Sequence, residues 1–370
     1  MDDDVPYLLL TPGPLTTSRT VKEAMLRDVS TWDRDYNDIV QDVRARLVRL
    51  ATASNEYTAV LMQGSGTFAV EAALGSVIPR AGKLLVANNG AYGLRMAQIA
   101  ARLAIDHVTV TQPEIEPTDT RRIDELLSAD PAITHVALVH CETTTGMVNP
   151  IAEVGRIVRR HGRVLVLDAM STFGGMPLDA DEIGADYVIS SANKCVQGVP
   201  GFGFVVARRN QLASSEGWAR SLSLDLFDQW REMETKGGKW RYTSPTHVLL
   251  ALHQALAELD AEGGVAARHQ RYAENHRVLV AGLTKLGFRL LLDEKHRSPI
   301  ITSFLYPRDE RFTFDVLYEA LKRRGFVIYP GKVSHADTFR VGTIGHVFPE
   351  DFRRLVTCFG EVIQELGWKI

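Results

Sequence analysis

The sequence predicts an α/β protein: a mostly parallel sheet flanked by helices, followed by a smaller C-terminal α+β region. Short apolar runs alternate with amphipathic helical patterns between about residues 57 and 190, as repeated βαβ units do. The 370 residues are enough for a substantial core and two domains. Polar motifs follow the ends of the predicted strands, which is where sheets of this kind bind ligands.

The composition excludes several classes of partner. The chain carries 45 acidic and 42 basic residues and a net charge of −3, which predicts no binding to nucleic acid or to an anionic membrane. Cys141, Cys195 and Cys358 show no metal-binding spacing and indicate reduced thiols. The acidic N-terminus and the short apolar run at 7–10 predict neither a signal peptide nor a membrane span. We therefore expect a cytoplasmic protein.

The order of patterns along the chain suggests three segments. The sequence Thr11-Pro12-Gly13-Pro14 ends an extended stretch, because its prolines disfavour a helix. A hairpin is predicted through 198–201, and a polar stretch covers 228–244. Helical patterns cover about 18–27, 37–51, 246–259 and 266–286. The predicted segments are an N-terminal arm over 1–14, a large domain over 15–263 and a small C-terminal domain over 264–370.

A lysine and an aspartate at the ends of apolar strands point to a specific chemistry. Lys194 lies between the apolar runs 185–189 and 202–206, where burial would lower its pKa and make it a nucleophile. Asp168 ends the apolar run 163–167. Pyridoxal phosphate enzymes need a lysine that attaches the cofactor and an acid that pairs with its ring nitrogen. We hypothesise that Lys194 and Asp168 are this pair. The alternatives are a lysine that extends to solvent and an aspartate that caps a helix.

The loop Gln63-Gly64-Ser65-Gly66-Thr67 follows a predicted strand and opens a helix. Its glycines allow close backbone approach, and the N–H groups of a helix start favour a phosphate. Ser65 and Thr67 add hydroxyl donors, although either is also an ordinary helix cap. The segment also fits G-x-G-x-x-A, the dinucleotide-binding pattern. That pattern needs an acid after the next strand, where the chain has Asn88 and Asn89.

Three further motifs contain candidate ligands. Tyr92 begins a helix after a strand, so its ring either packs there or stacks on a planar cofactor. Thr143 belongs to Glu142-Thr143-Thr144-Thr145-Gly146, which is either a polar turn or a source of hydroxyl donors. Arg340 lies in an apolar strand and requires an anionic partner, either an internal carboxylate or a substrate.

Taken together, these motifs resemble the class V aminotransferases of the type I pyridoxal phosphate fold, over essentially the whole chain. The resemblance implies a seven-stranded sheet and a homodimer with shared active sites. It implies that Lys194 carries the cofactor and shuttles a proton, and that Asp168 pairs with the ring nitrogen. It also implies ligand roles for Ser65, Gly66, Thr67, Tyr92, Thr143 and Arg340, and for Tyr242 and Thr243 toward the neighbouring subunit.

Three longer segments, 9–18, 142–147 and 190–204, resemble the corresponding segments of the family members that use 2-aminoethylphosphonate and pyruvate. The expected products are phosphonoacetaldehyde and L-alanine, formed in phosphonate catabolism. Arg340 would bind the anionic group of both substrates. Alanine–glyoxylate or serine–pyruvate transfer is the first alternative, and a nicotinamide-dependent dehydrogenase is a distant one. Arg19, Arg34 and Arg95 are candidates for selecting a phosphonate, and the sequence does not rank them.

Overall fold

The computed structural model describes residues 7–331, 333 and 336–370, so residues 1–6 of the predicted arm lie outside the described residues. Thirteen α-helices occur among the described residues: α1 (Arg19–Glu23), α2 (Arg34–Ala51), α3 (Gly66–Val77), α4 (Ala91–Arg102), α5 (Thr120–Ala129), α6 (Ile151–Arg160), α7 (Ala180–Ile183), α8 (Arg209–Ala213), α9 (Leu226–Thr235), α10 (Thr246–Glu262), α11 (Gly264–Lys285), α12 (Phe314–Lys322) and α13 (Pro349–Leu366). Fourteen strands occur in the same part of the chain: β1 (Leu8–Leu9), β2 (Tyr57–Gln63), β3 (Lys83–Asn88), β4 (Asp106–Thr111), β5 (Ile133–Val139), β6 (Cys141–Glu142), β7 (Met147–Val148), β8 (Val164–Asp168), β9 (Tyr187–Ser191), β10 (Phe202–Arg208), β11 (Ile301–Leu305), β12 (Phe326–Val327), β13 (Tyr329–Pro330) and β14 (Thr338–Gly342).

The main sheet has seven strands in the order β2-β10-β9-β8-β5-β3-β4. β10 runs antiparallel to both of its neighbours, and the other strands run parallel to one another. This confirms the predicted α/β class with a mostly parallel sheet. β9 and β10 are antiparallel neighbours, so the predicted hairpin joins them.

Each face of this sheet has its own hydrophobic core. In β2, Ala59 and Leu61 face a core that includes side chains of α2, α6 and α10, whereas Val60 and Met62 face one that includes α3 and α4. This alternation follows from the two-residue period of a strand. Each fully buried aliphatic side chain contributes about 1.5–3 kcal/mol, so both helical layers are held firmly against the sheet. No helix among the described residues is long and apolar enough to cross a membrane.

The C-terminal region forms a second, smaller unit of structure. Its three-stranded antiparallel sheet has the order β11-β14-β13. It shares a third core with α11, α12 and α13, in which Phe288, Phe339 and Phe359 pack edge to face or stacked. β1 from the N-terminal arm pairs parallel with β12, so the arm also joins this unit. The boundary at Gly263 stays a prediction, and α10 and α11 meet there.

Two elements differ from the sequence-based expectation. The helix expected over 18–27 covers only Arg19–Glu23, where Val21 is the one buried residue, and Leu26 beyond its end is 83% exposed. The stretch 228–244, read as polar, contains most of α9. Asp225 caps α9 by accepting a hydrogen bond from the N–H of Asp228, and Leu226, Phe227 and Met233 are buried. The cap and the apolar spacing were the signals for this helix.

Candidate active site

Lys194 and Asp168 meet at the carboxyl edge of the main sheet. Asp168 is the last residue of β8, and Lys194 lies in the connection between β9 and β10. β8 and β9 are parallel neighbours, so their ends lie side by side. β2 ends at the same edge and is followed by Ser65, Gly66 and Thr67, because β2 and β9 are both antiparallel to β10. The topology therefore brings the two expected chemical groups and the expected phosphate loop to one edge.

The amine of Lys194 is covered by the N-terminal arm. Its Nζ donates to the carbonyl oxygens of Pro12, at 2.9 Å, and Gly13, at 3.4 Å. Burial lowers the pKa of Lys194 to about 8, so a neutral amine is accessible near physiological pH. Gly13 has a φ of +111°, and a Cβ there would lie 2.7 Å from Nζ, so glycine permits this close approach.

Asp168 is a buried carboxylate, 4% exposed. Its Oδ1 accepts a hydrogen bond of 2.9 Å from the backbone N–H of Met170. Burial raises the pKa of Asp168 to about 6, against the lowering effects of that N–H and of the charges on Arg95 and Lys194. A carboxylate in this environment would be stabilised in its charged form by a cationic N–H donor.

The loop before α3 presents the start of a helix to this edge. Ser65 is the N-cap residue, and its side chain makes no capping hydrogen bond to α3. A Cβ on Gly66 would lie 2.3 Å from the sulfur of Met170, so glycine lets the loop sit against the segment after Asp168. Thr67 accepts a hydrogen bond of 3.1 Å on its Oγ1 from Nη1 of Arg95. With that acceptor site used, the hydroxyl proton of Thr67 is available to point toward an anion.

The same loop does not belong to a dinucleotide-binding unit. β2 and β3, which flank α3 in sequence, are separated in the sheet by β10, β9, β8 and β5. The dinucleotide pattern requires a compact βαβ unit and an acid after its second strand. Here β3 ends at Asn88, which is not an acid. This residue, and the separation of β3 from β2 in the sheet, both argue against a dehydrogenase.

Tyr92 and Glu142 meet beside the same edge. Tyr92 lies in the first turn of α4, and the guanidinium of Arg95 stacks on its ring at 4.9 Å from the centroid. The backbone N–H of Tyr92 donates to Oε2 of Glu142 at 3.1 Å. Glu142 is fully buried, which raises its pKa to about 7. The adjacent Thr143 is also buried.

Arg340 reaches the site from the small sheet. It is 4% exposed, and its Nη1 donates to the carbonyl of Thr143 at 2.7 Å, while its Nε donates to that of Pro330 at 2.9 Å. In the part of the chain that the structure describes, both hydrogen bonds go to backbone carbonyls rather than to a carboxylate. Burial lowers the pKa of Arg340. A buried guanidinium fixed in this way is suited to bind an anion from solution.

Tyr242 and Thr243 lie at the surface, whereas Ser244 is buried. Tyr242 is 47% exposed, and the hydroxyl of Ser244 is hydrogen-bonded to the hydroxyl of Tyr36 at 2.5 Å. The carbonyl of Thr243 accepts a hydrogen bond from the side chain of Gln63, at the end of β2. Within one chain the segment therefore lies beside the start of the phosphate loop.

A cavity of about 1140 Å³ is lined by Gln197 and Arg19 but by none of the predicted catalytic or cofactor-binding residues. Three of its charged residues pair with one another: Glu262 bonds Arg268 and Arg271 at 2.8 and 2.7 Å. The buried groups of Lys194 and Asp168, rather than the volume of this cavity, therefore mark the candidate active site.

The residues at the sheet edge fit pyridoxal phosphate. A buried amine is available for an aldehyde, and a desolvated carboxylate is available for a ring N–H. The start of α3, with Thr67 oriented by Arg95, suits a phosphate. Sequence reasoning assigned no role to Pro12 or Glu142, and it named Arg95 only as one of three unranked candidates for selecting a phosphonate. Arg95 had one usable signal, its place one helical turn after Tyr92.

The fold, and the buried lysine and acid at neighbouring strand ends, are typical of an aminotransferase. The chain matches the family model for aminotransferase class-V over residues 17–333, and it belongs to this family. It is 64% identical over 362 residues to the 2-aminoethylphosphonate–pyruvate transaminase of Syntrophobacter fumaroxidans, covering 98% of each chain. It is 59% identical over 356 residues to the enzyme of the same name from Bacillus cytotoxicus, covering 96% of this chain and 97% of that one. The solved pyridoxamine-pyruvate aminotransferase of Mesorhizobium loti superposes with a TM-score of 0.90 at 25% identity, covering 100% of this chain and 95% of that one. These similarities confirm the predicted family and fold.

Proposed function

We propose that this aminotransferase moves the amino group of 2-aminoethylphosphonate to pyruvate, using pyridoxal phosphate. The products are phosphonoacetaldehyde and L-alanine. The observation that carries the proposal is the 64% identity, across 98% of both chains, to a protein named for this reaction. Lys194, Asp168 and Arg340 are the residues on which its chemistry depends.

Lys194 has two roles in the proposed reaction: it holds the cofactor, and it transfers a proton of the substrate. Pyridoxal phosphate, when bound, supplies the electron sink for breaking the C–H bond beside the amino group. The amine of Lys194 would hold the cofactor until the amino group of the substrate displaces it. The released amine would then take the proton from the substrate carbon and give it back later in the reaction. A pKa lowered to about 8 supports this exchange, because a useful fraction of the amine is neutral near pH 7–8.

Asp168 and the residues around it hold the cofactor. Asp168 stays ionised beside the N–H of the cofactor ring, and its negative charge keeps that ring nitrogen protonated. Ser65, Gly66 and Thr67 bind the phosphate at the start of α3, where backbone N–H groups and the helix dipole favour an anion. Tyr92 stacks on the ring, and Thr143 hydrogen-bonds the cofactor or the substrate.

Arg340 binds the anionic end of each substrate in turn. A phosphonate and a carboxylate both present oxygens that a guanidinium recognises through paired hydrogen bonds. Of the three arginines considered for phosphonate selection, Arg19 pairs with Glu23 and Arg34 with Asp38 on exposed surfaces. Arg95 contacts Thr67 and Tyr92. Because of this position, Arg95 is the arginine of the three that is favoured as a source of extra positive charge near the substrate.

The active unit in this proposal is a homodimer, in which Tyr242 and Thr243 reach the partner's cofactor phosphate. Their exposure supports this role, and the bond between Ser244 and Tyr36 argues against Ser244. Trp32 and Leu222 are 80% and 77% exposed, which supports a covered surface in the assembly. Sedimentation of the holoenzyme should give a dimer mass, and a monomer at assay concentration would contradict it. A cytoplasmic location agrees with the unpaired Cys141, Cys195 and Cys358.

An amino-donor screen on the holoenzyme tests the substrate assignment. With pyruvate as acceptor, 2-aminoethylphosphonate should react faster than serine, and with glyoxylate, alanine should be a poor donor. L-alanine and phosphonoacetaldehyde are measured as products. Turnover of serine or alanine without turnover of 2-aminoethylphosphonate would assign the chain to the alternative reactions of the same family.

A further inference from the structure

Glu142 is a buried acid whose role the reaction described above does not explain. It is 0% exposed and lies in β6, directly before Thr143. Its two carboxylate oxygens are both used: Oε2 accepts from the N–H of Tyr92 at 3.1 Å, and Oε1 accepts from the hydroxyl of Thr144 at 3.0 Å. The N–H of Gly93 also hydrogen-bonds this carboxylate. A side chain held by this many donors has a fixed position.

Helix α4 lacks a cap of its own at the end where Glu142 binds. The N-cap residue is Gly90, which has no side chain to satisfy the first N–H groups of the helix. Glu142 supplies the missing acceptor from a different strand, and its negative charge lies at the positive end of the helix dipole. Tyr92, in the first turn of α4, is therefore fixed by a residue 50 positions away.

Gly90 is required for this contact. A Cβ at residue 90 would lie 2.3 Å from Cγ of Glu142 and 2.8 Å from its Oε2. The backbone N–H of Gly90 is held by Oδ1 of Asn88 at 3.2 Å, so the segment cannot easily move aside. The glycine and the acid form one complementary unit.

The residue after Glu142 contacts the opposite side of the site. The carbonyl of Thr143 accepts the 2.7 Å hydrogen bond from Nη1 of Arg340. Glu142 and Thr143 therefore connect α4, which carries Tyr92, to β14, which carries Arg340. A shift of this loop would move the ring-stacking residue and the anion-binding residue together.

We propose that Glu142 is a positioning residue, whose carboxylate caps α4 from the neighbouring loop and thereby fixes Tyr92 over the cofactor ring and Thr143 against Arg340. This inference rests on the proposed function, because it assigns Glu142 a role through the cofactor ring and the substrate anion.

The test compares E142A and E142Q with the wild-type holoenzyme. Loss of the cap in E142A should weaken cofactor affinity by at most the two- to tenfold, roughly, that removal of the Tyr92 ring would cost, as measured by absorbance titration with pyridoxal phosphate. The visible circular dichroism of the bound cofactor should shrink, and KM should rise for both substrates. In E142Q the amide oxygen accepts from Tyr92 and the amide N–H donates to Thr144, so all three quantities should stay within about twofold of wild type.

D119A is the matched control for a lost helix cap outside the site. Asp119 caps α5 by accepting a 3.0 Å hydrogen bond from the N–H of Arg122. D119A should lower the melting temperature without changing the dichroism or either KM. If E142A does not fold, G90A reaches the same contact from the helix side and should reproduce the loss of dichroism.

An E142A or G90A protein with wild-type cofactor affinity and dichroism would overturn the role of Glu142 alone. Impairment of E142Q equal to that of E142A would also overturn it, since the charge rather than the cap would then matter. A wild-type protein that binds no pyridoxal phosphate would overturn the proposed function and this inference with it.

Discussion

Asp168 and Glu142 are two buried carboxylates at the same edge of the sheet, and the protein uses them differently. The carboxylate of Asp168 receives one hydrogen bond from the described residues, donated by the backbone N–H of Met170, and has Lys194 and Arg95 as nearby cations. Glu142 receives hydrogen bonds at both oxygens from α4 and from its own loop. Burial raises the pKa of both, to about 6 and about 7 respectively.

In the proposed function, this difference separates a carboxylate that is available to a ligand, Asp168, from one that holds neighbouring elements together, Glu142. The donors around Glu142 come from the chain itself, so its removal should loosen neighbouring residues. Asp168 has unused capacity beside two cations, so its removal should affect a bound cofactor directly. Burial and a raised pKa alone do not distinguish these roles, whereas the number of hydrogen-bond donors that the chain supplies to each carboxylate does.

Replacing each acid by its amide should separate the two sites most strongly. D168N keeps the shape but cannot stabilise a protonated ring nitrogen, so kcat should fall at least about 10²-fold. E142Q should stay within about twofold. Steady-state kinetics with saturating cofactor measure both. Equal losses in the two variants would remove the distinction.

Arg340 is held by the carbonyl of Thr143, the residue after Glu142. Its replacement should weaken the binding of substrates rather than the binding of the cofactor. Arg340→Lys keeps the charge but loses the fork of donors, so KM for pyruvate and for 2-aminoethylphosphonate should each rise about 10- to 100-fold. Cofactor affinity, measured by absorbance titration, should remain near that of wild type. Loss of cofactor with unchanged KM would contradict the assigned role.

Tyr92 should show the smallest effect on binding. Tyr92→Phe keeps the stacking ring and should leave cofactor affinity nearly unchanged. Tyr92→Ala removes the ring, and affinity should fall about two- to tenfold. A larger loss in the Phe variant than in the Ala variant would mean that the hydroxyl, rather than the ring, makes the contact.

The pH dependence of stability allows wild type and D168N to be compared without the cofactor. Because folding raises the pKa of Asp168 to about 6, the native protein binds more protons than the unfolded chain between about pH 4 and 6. Stability is therefore lost as pH rises through this range. D168N should lack this loss, so its melting temperature relative to wild type should increase by a few degrees from pH 4 to 6 and then level off. A difference that stays constant with pH would contradict this environment for Asp168.

The sequence was sufficient to predict the fold class and that Lys194 and Asp168 lie at the same edge of the sheet. Alternating strand and helix patterns imply a parallel sheet, and the ends of parallel strands meet, which places Lys194 and Asp168 together. The same logic places the loop after β2. These predictions depend on local periodicity and on general topology, both of which a single sequence contains.

Contacts between distant loops were not predictable in this way. The carbonyl of Pro12 meets Lys194 across 182 residues, and Glu142 meets Tyr92 across 50. Such contacts depend on how separate elements pack, and nothing in the local pattern specifies it. The helix α9 was missed for a different reason, since charged residues around a buried stripe made its segment look uniformly polar.

Borohydride reduction of the purified holoenzyme tests the central claim, that Lys194 and Asp168 form a pyridoxal phosphate site. The protein should be yellow, and reduction should attach the cofactor permanently to one lysine. Peptide mapping by mass spectrometry should find the added mass on the peptide that contains Lys194, and Lys194→Ala should carry no label. A colourless protein, or a label on another lysine, would contradict the account.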